Sequence, residues 1–142
     1  MTGIADPAQA ACPAPRTETE RVLLGHGSGG QLSAALLRDV LLPALGEAGA
    51  AGPLEDAAVL PPASGELVVS TDAFVVSPLF FPGGDIGRLA VHGTVNDVAM
   101  MGGQPFALSL AFIIEEGFPL ADLRRVAASA GRAAAEAGVP VV

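Results

Sequence analysis

The chain has 142 residues, about half of them hydrophobic, with six Phe and no Trp or Tyr. That is enough for one domain and not comfortably for two. A formal charge of −8 at pH 7 argues against a nucleic-acid backbone as partner, and no apolar run approaches the roughly 20 residues that span a bilayer.

Residues 1–21 are rich in Ala, Pro, Thr and charge without periodicity and read as a disordered leader. They contain no basic region followed by an apolar core, so no secretory signal is legible. The one cysteine, Cys12, lies in this leader and has no partner for an internal disulfide, which fits a reducing, cytoplasmic setting. Far from any recognisable base, it is a poor candidate nucleophile.

Order is expected to begin near Val22, followed at once by the loop GHGSGG at 25–30. Four glycines in six residues ahead of a helix let backbone N–H groups approach a phosphate. The loop matches neither the Walker A pattern nor the dinucleotide fingerprint, and on the loop alone a plain flexible turn capping the helix is the stronger reading. Leu32, Ala35, Leu36 and Val40 then predict an amphipathic helix ending near Leu45-Gly46, its last turn tightened by Pro43.

Residues 46–53 read as a connection, 57–60 as a short strand and 66–76 as a second strand rich in β-branched residues and apolar on both faces. A turn at 81–84 leads to Asp85, a plausible N-cap. The helix after it places Ile86, Leu89, Ala90, Gly93 and Met100 on one arc, with Asp97 inside that arc and Arg88, His92 and Asn96 on an adjacent face. Residues 106–114 alternate as a strand should. Pro119 opens a last helix, with Gly138 at its C′ position and Pro140 beyond. Residues 139–142 look like the start of another strand. Strands mixed with three helices predict an α+β fold, a mixed sheet packed with helices.

Three acids stand in otherwise apolar surroundings: Asp56, Asp72 and Asp97. A buried carboxylate needs a cation, donors or water. Oxygen-only ligands without a Cys or His cluster suit Mg²⁺, which takes a few carboxylates together with substrate phosphates. Backbone donors at a strand end are the competing explanation for Asp72. His26 and His92 are the only histidines. Each is a candidate general base, though a loop histidine beside glycines is more commonly a hydrogen-bonding residue. Asn96 could orient a phosphate or solvate a helix face, and Glu115-Glu116 reads as an exposed acidic turn.

Taken together, HGSGG, LEDAAVL, STDAFVVSPLFFPGGDIGRLAVHGTVNDVAMMGG and FIIEEGF resemble the HypE-type hydrogenase expression/formation proteins, from about Leu24 onward. The TD after a strand and the ND in the next helix resemble the wider superfamily of aminoimidazole ribonucleotide synthetase, selenophosphate synthetase and thiamine-monophosphate kinase. FFPGGDIG running into GTVND is the more specific signature. The resemblance implies an ATP-binding, dimerising N-terminal domain over 22–142, its sheet pairing across a homodimer. It implies [NiFe]-hydrogenase maturation, in which a carbamoyltransferase, HypF, loads a C-terminal cysteine of the HypE-type protein. ATP-dependent dehydration then gives a thiocyanate, and the cyano group passes to a HypC–HypD complex. It also implies Mg²⁺ held by Asp72 and Asp97 with Asp56 joining them, Asn96 beside the phosphates, and Gly27, Ser28, Gly29 and Gly30 covering ATP.

The family's next motif, GDTKV, would follow Val142, and neither a second domain nor the carbamoyl-carrying cysteine is present in these 142 residues. The chain is therefore expected to be a truncated N-terminal part that lacks the complete reaction. Two other readings stay open: a non-catalytic dimerisation or partner-binding module, and an ATP enzyme acting on the substrate of selenophosphate synthetase or thiamine-phosphate kinase. No selenium-handling Cys lies near the loop, which weighs against the first of those substrates.

Overall fold

A computed structural model of the chain describes residues 20–49 and 55–142. Most of the leader, Cys12 included, and part of the 46–53 connection lie outside the described residues. The fold is α+β, with the helices carrying the core and one small antiparallel hairpin beside them.

The first helical stretch runs through Gln31–Leu36 (α1), a π-helical segment at Leu37–Leu41 and Leu42–Leu45 (α2). It buries Leu36, Val40 and Leu45. Pro43 does not tighten its last turn as expected; the backbone widens just ahead of it. The Leu42 N–H donates to the Leu37 carbonyl five residues back. Pro43 supplies no N–H, and its ring would crowd the Asp39 carbonyl in α register, so a widened turn relieves both problems.

Phe80–Phe81 (β1) and Gly84–Asp85 (β2) form the hairpin, with Phe80 opposite Asp85 and Phe81 opposite Gly84. Its turn uses Gly83 at φ 90°, a conformation that favours glycine. The next helix, Ile86–Met100 (α3), starts where expected: the Asp85 carboxylate accepts the Arg88 N–H at 3.0 Å, satisfying one of the orphan donors of the first turn.

The last helix, Leu120–Ala137 (α4), begins after Pro119 and ends on Gly138 at φ 68°, in the left-handed region. Both ends match the sequence reading. Its apolar stripe is made largely of Ala, and two glycines let neighbours come within backbone contact. A Cβ on Gly131 would strike the Leu45 carbonyl, and one on Gly87 of α3 would strike the Val126 carbonyl of α4. One cluster joins Leu45, Ala48, Val91, Leu108, Ala130, Ala133, Ala134, Val139 and Val141. A second joins Val22, Leu36, Val40, Leu120 and Leu123. Arg125 fastens the hairpin to α4, its guanidinium 3.8 Å from the Phe80 ring centre and bonded to Asp122 at 3.0 Å.

The strands expected at 57–60, 66–76 and 106–114 form no ladder among the described residues. Among the described residues, pairing outside the hairpin is confined to two isolated bridges, Arg21 with Pro119 and Leu108 with Val141. The second bears out the start of a strand at 139–142: Leu108 N–H donates to Pro140 O at 2.9 Å, and Val142 N–H to Leu108 O at 2.8 Å. Alternation fixes which side chains share a face but not which backbone lies alongside, and among the described residues these segments gain no strand neighbour beyond that single bridge at Leu108. No helix among the described residues is long and apolar enough to cross a membrane.

Candidate functional site

Segment 66–76 lies along α3 in a definite register. Val68 packs beside Gly103, where a Cβ would come within 3.3 Å of the Val68 Cβ, and Phe74 sits over Gly93, where a Cβ would fall 2.5 Å from the ring. Between them the Ser70 hydroxyl donates to the Asp97 carboxylate, Oγ to Oδ2 3.2 Å. Val68, Ser70 and Phe74 thus turn toward α3, while Leu67, Val69 and Val75 point outward and are exposed. This period of two is that of extended backbone, although no neighbouring strand accompanies it. Asp72 lies in sequence between the residue that bonds Asp97 and the residue that covers Gly93.

Ser70 thus joins the segment to Asp97 of the ND pair, and Asp72 of the TD pair follows two residues further along the same segment. Asp97 does not occupy the buried arc that its helical position suggested. The helix buries Gly87 and Val91, whereas Asp97 and Met100 are exposed. The reason is that α3 turns Gly87 and Val91 toward α4, and at 100° per residue Asp97 lies about a third of a turn away from that stripe. Asp72 is exposed as well, and one of its oxygens accepts the Ala73 N–H at 2.7 Å, the backbone satisfaction that its position in the chain also allowed. Asn96 is exposed beside Asp97. Asp56 is exposed and forms no hydrogen bond or ion pair among the described residues.

Among the described residues, no three His, Cys, Asp or Glu side chains gather closely enough to hold a metal ion by themselves. That fits the donor set. Mg²⁺ keeps most of its waters and is commonly held by one or two carboxylates together with phosphate oxygens. Asp72 and Asp97 are both exposed, and each has an oxygen not committed to a protein donor among the described residues, as a shared cation of that kind would need.

The glycine loop is built differently. Leu24–Gly27 forms a single 3₁₀ turn in which the His26 ring accepts the Leu23 N–H on Nδ1 at 2.8 Å. That bond places any proton of the neutral ring on Nε2. Ser28 Oγ donates to Gly25 O at 2.8 Å, and the Gly29 N–H donates to Ser33 Oγ at 2.9 Å. Gly29 has φ 76°, the positive value that a side chain would resist. Gly27, Ser28, Gly29 and Gly30 are all exposed.

His26 and Gly27 line a cavity of about 360 Å³ with Leu36, Phe112, Ile114 and Glu116. Ser70 and Thr71 border a separate groove of about 730 Å³ with Thr94, Val98, Phe106 and Val142. The loop and Ser70 thus open onto different hollows of the single copy.

His92 belongs to a third place, the contact between α3 and α4. Arg88 bonds Glu136 at 3.1 Å, and the His92 Nε2 lies 3.7 Å from the same carboxylate, shielded and without a hydrogen-bond partner among the described residues, although the side chain is 41% exposed. Sequence reasoning passed over Ser70, yet its signal was present. Two residues ahead of Asp72, it had to share that residue's face in any extended segment.

The fold and this site define the class. Residues 54–142 match the family described as AIR synthase related protein, N-terminal domain, and the chain belongs to that family. Within it the chain is similar to the hydrogenase maturation proteins. It is 52% identical over 122 residues to the carbamoyl dehydratase HypE of Cupriavidus necator, covering 86% of this chain and 35% of that protein. It is 42% identical over 125 residues to the carbamoyl dehydratase HypE of Escherichia coli, covering 85% and 37%. A crystal structure of the hydrogenase maturation protein HypE in complex with ATP superposes with a TM-score of 0.74 at 50% identity, covering 84% of this chain and 37% of that one. The chain spans about a third of the length of the relatives it matches.

Proposed function

We propose that the chain is the nucleotide-binding and dimerising N-terminal domain of a HypE-type carbamoyl dehydratase acting in the cytoplasm. The observation that carries this reading is the register of 66–76 on α3, which brings Ser70 to Asp97 with Asp72 two residues further along the segment. The similarity to a HypE structure in complex with ATP supports the identity of the nucleotide. In the full-length protein the reaction is the ATP-dependent dehydration of an S-carbamoyl cysteine to a thiocyanate for the iron cyanide ligands. HypF is the carbamoyl donor partner and HypC–HypD the acceptor.

Transfer of a phosphoryl group to a weakly nucleophilic carboxamide oxygen needs charge neutralisation and in-line positioning more than covalent help. Mg²⁺ bound with ATP supplies the neutralisation. Asp72 and Asp97 hold that cation against the phosphates, with Asp56 joining them, and Asn96 offers an amide donor at the same end of α3. Gly27, Ser28, Gly29 and Gly30 cover the nucleotide. His26 and His92 are the candidate proton carriers. Nucleotide binding is the part of the reaction assigned to these residues.

Calorimetric titration of the chain with ATP, with and without Mg²⁺, tests the reading. Magnesium-dependent binding that Asp97→Asn weakens at least about tenfold is expected. A folded chain that ignores both nucleotide and metal would leave an interaction module instead. That second reading has its own support in the outward face of 66–76, where Val69 is 84% and Val75 98% exposed, and in the fully exposed Ile113. Apolar rows of this kind on unpaired segments suit a second copy of the chain.

A further inference from the structure

We propose that Ser70 is a positioning residue for Asp97, fixing the direction in which that carboxylate meets the cation; this rests on the reading of Asp97 given above. Among the described residues, the Ser70 hydroxyl is the one group that donates to Asp97, 3.2 Å from Oδ2. An exposed aspartate on a helix samples several rotamers. One committed donor selects among them and leaves Oδ1 free of protein contacts.

The chemistry of the donor matters. A lysine or arginine in this place would neutralise the carboxylate and compete with Mg²⁺. A hydroxyl is neutral and has a single proton to give, so it orients the charge without cancelling it.

The bond is also unnecessary for seating the segment. Phe74 over Gly93 and Val68 beside Gly103 hold 66–76 against α3 on either side of it. Ser70 and Asp72 are two residues apart on one face, so the backbone that aims Asp97 also carries the second acid. Loss of the hydroxyl should therefore leave the fold intact and loosen the cation site alone.

The test is a calorimetric titration of the 142-residue chain at fixed ATP with Mg²⁺ varied, beside ATP binding in chelator. Ser70→Ala is expected to raise the Mg²⁺ concentration for half-maximal binding about tenfold, the loss of one hydrogen bond to a charged group, with metal-free binding unchanged. Ser70→Thr, which keeps the hydroxyl, is expected to restore the requirement of the unsubstituted chain. Ser70→Val, nearly the same shape without the hydroxyl, is expected to behave as the alanine variant. This isosteric pair decides the matter even if the alanine variant folds poorly. A valine variant that needs no more Mg²⁺ than the threonine variant, while Asp97→Asn loses metal dependence, overturns the role of Ser70 alone. An Asp97→Asn chain with unaltered metal dependence overturns the reading of Asp97 and this proposal with it.

Discussion

At the scale of single residues, the candidate site depends on absent side chains as much as on carboxylates. Gly93 leaves the space that the Phe74 ring occupies, and a Cβ there would lie 2.5 Å from it. Gly93→Ala adds roughly 1 kcal/mol of helix propensity but overpacks the contact at about 1–3 kcal/mol, so the net loss is expected to be near 1 kcal/mol in urea unfolding. Because the ring is the part able to move, the segment should lift from α3, and magnesium-dependent ATP binding should fall more than stability does. A double-mutant cycle with Phe74→Ala checks this: the penalty of Gly93→Ala should vanish once the ring is gone. At this scale the sequence was informative about identity and silent about environment. Asp72 and Asp97 stood out as acids among apolar neighbours, but periodicity alone put Asp97 on a buried arc. It could not foresee which face α4 would cover, and α4 takes the one that carries Gly87 and Val91.

Among the elements, α4 organises the others, and it does so through main chain rather than side chains. Gly131 faces the Leu45 carbonyl and Gly87 faces the Val126 carbonyl, contacts between groups that have no rotamer with which to yield. Gly131→Ala is therefore expected to destabilise the fold by about 3 kcal/mol, a far larger effect than at Gly93, and to lower the thermal midpoint accordingly. Gly138→Ala is the milder case. With φ 68° at the helix end, the methyl group costs about 1 kcal/mol, measurable by the same unfolding transition and without effect on nucleotide affinity.

Helices were legible because their ends carry local chemistry, namely Asp85 as N-cap, Pro119 before α4 and Gly138 after it. The π-helical turn ahead of Pro43 was not, since a proline announces a disturbed helix without saying whether the chain tightens or widens. Strands were legible only in part. Residues 66–76 alternate as expected, but what they pair with is not a property of their own sequence.

For the whole molecule, that missing neighbour is the leading feature. Val69, Val75 and Ile113 stand in water on segments that make no ladder within one copy, an arrangement that invites association. Sedimentation analysis is expected to find a homodimer that persists at high salt, since apolar contacts are not screened as surface ion pairs are. Val75→Asp combined with Ile113→Asp should shift it to monomer while leaving the helical circular dichroism unchanged, and a dimer that survives both substitutions would assign the interface to another surface.

The segment along α3 has a further consequence, in time rather than in space. The three helical stretches hold one another through buried clusters, whereas 66–76 is attached by a ring, a valine and one hydroxyl, and its amides have no ladder to protect them. Opening free energies within one protein follow such differences. Native-state hydrogen exchange should therefore show two populations, slow amides in α3 and α4 and fast ones across 66–76. Nucleotide or a second copy would slow the fast set selectively, making Asp72 part of an order that ligand and partner complete together.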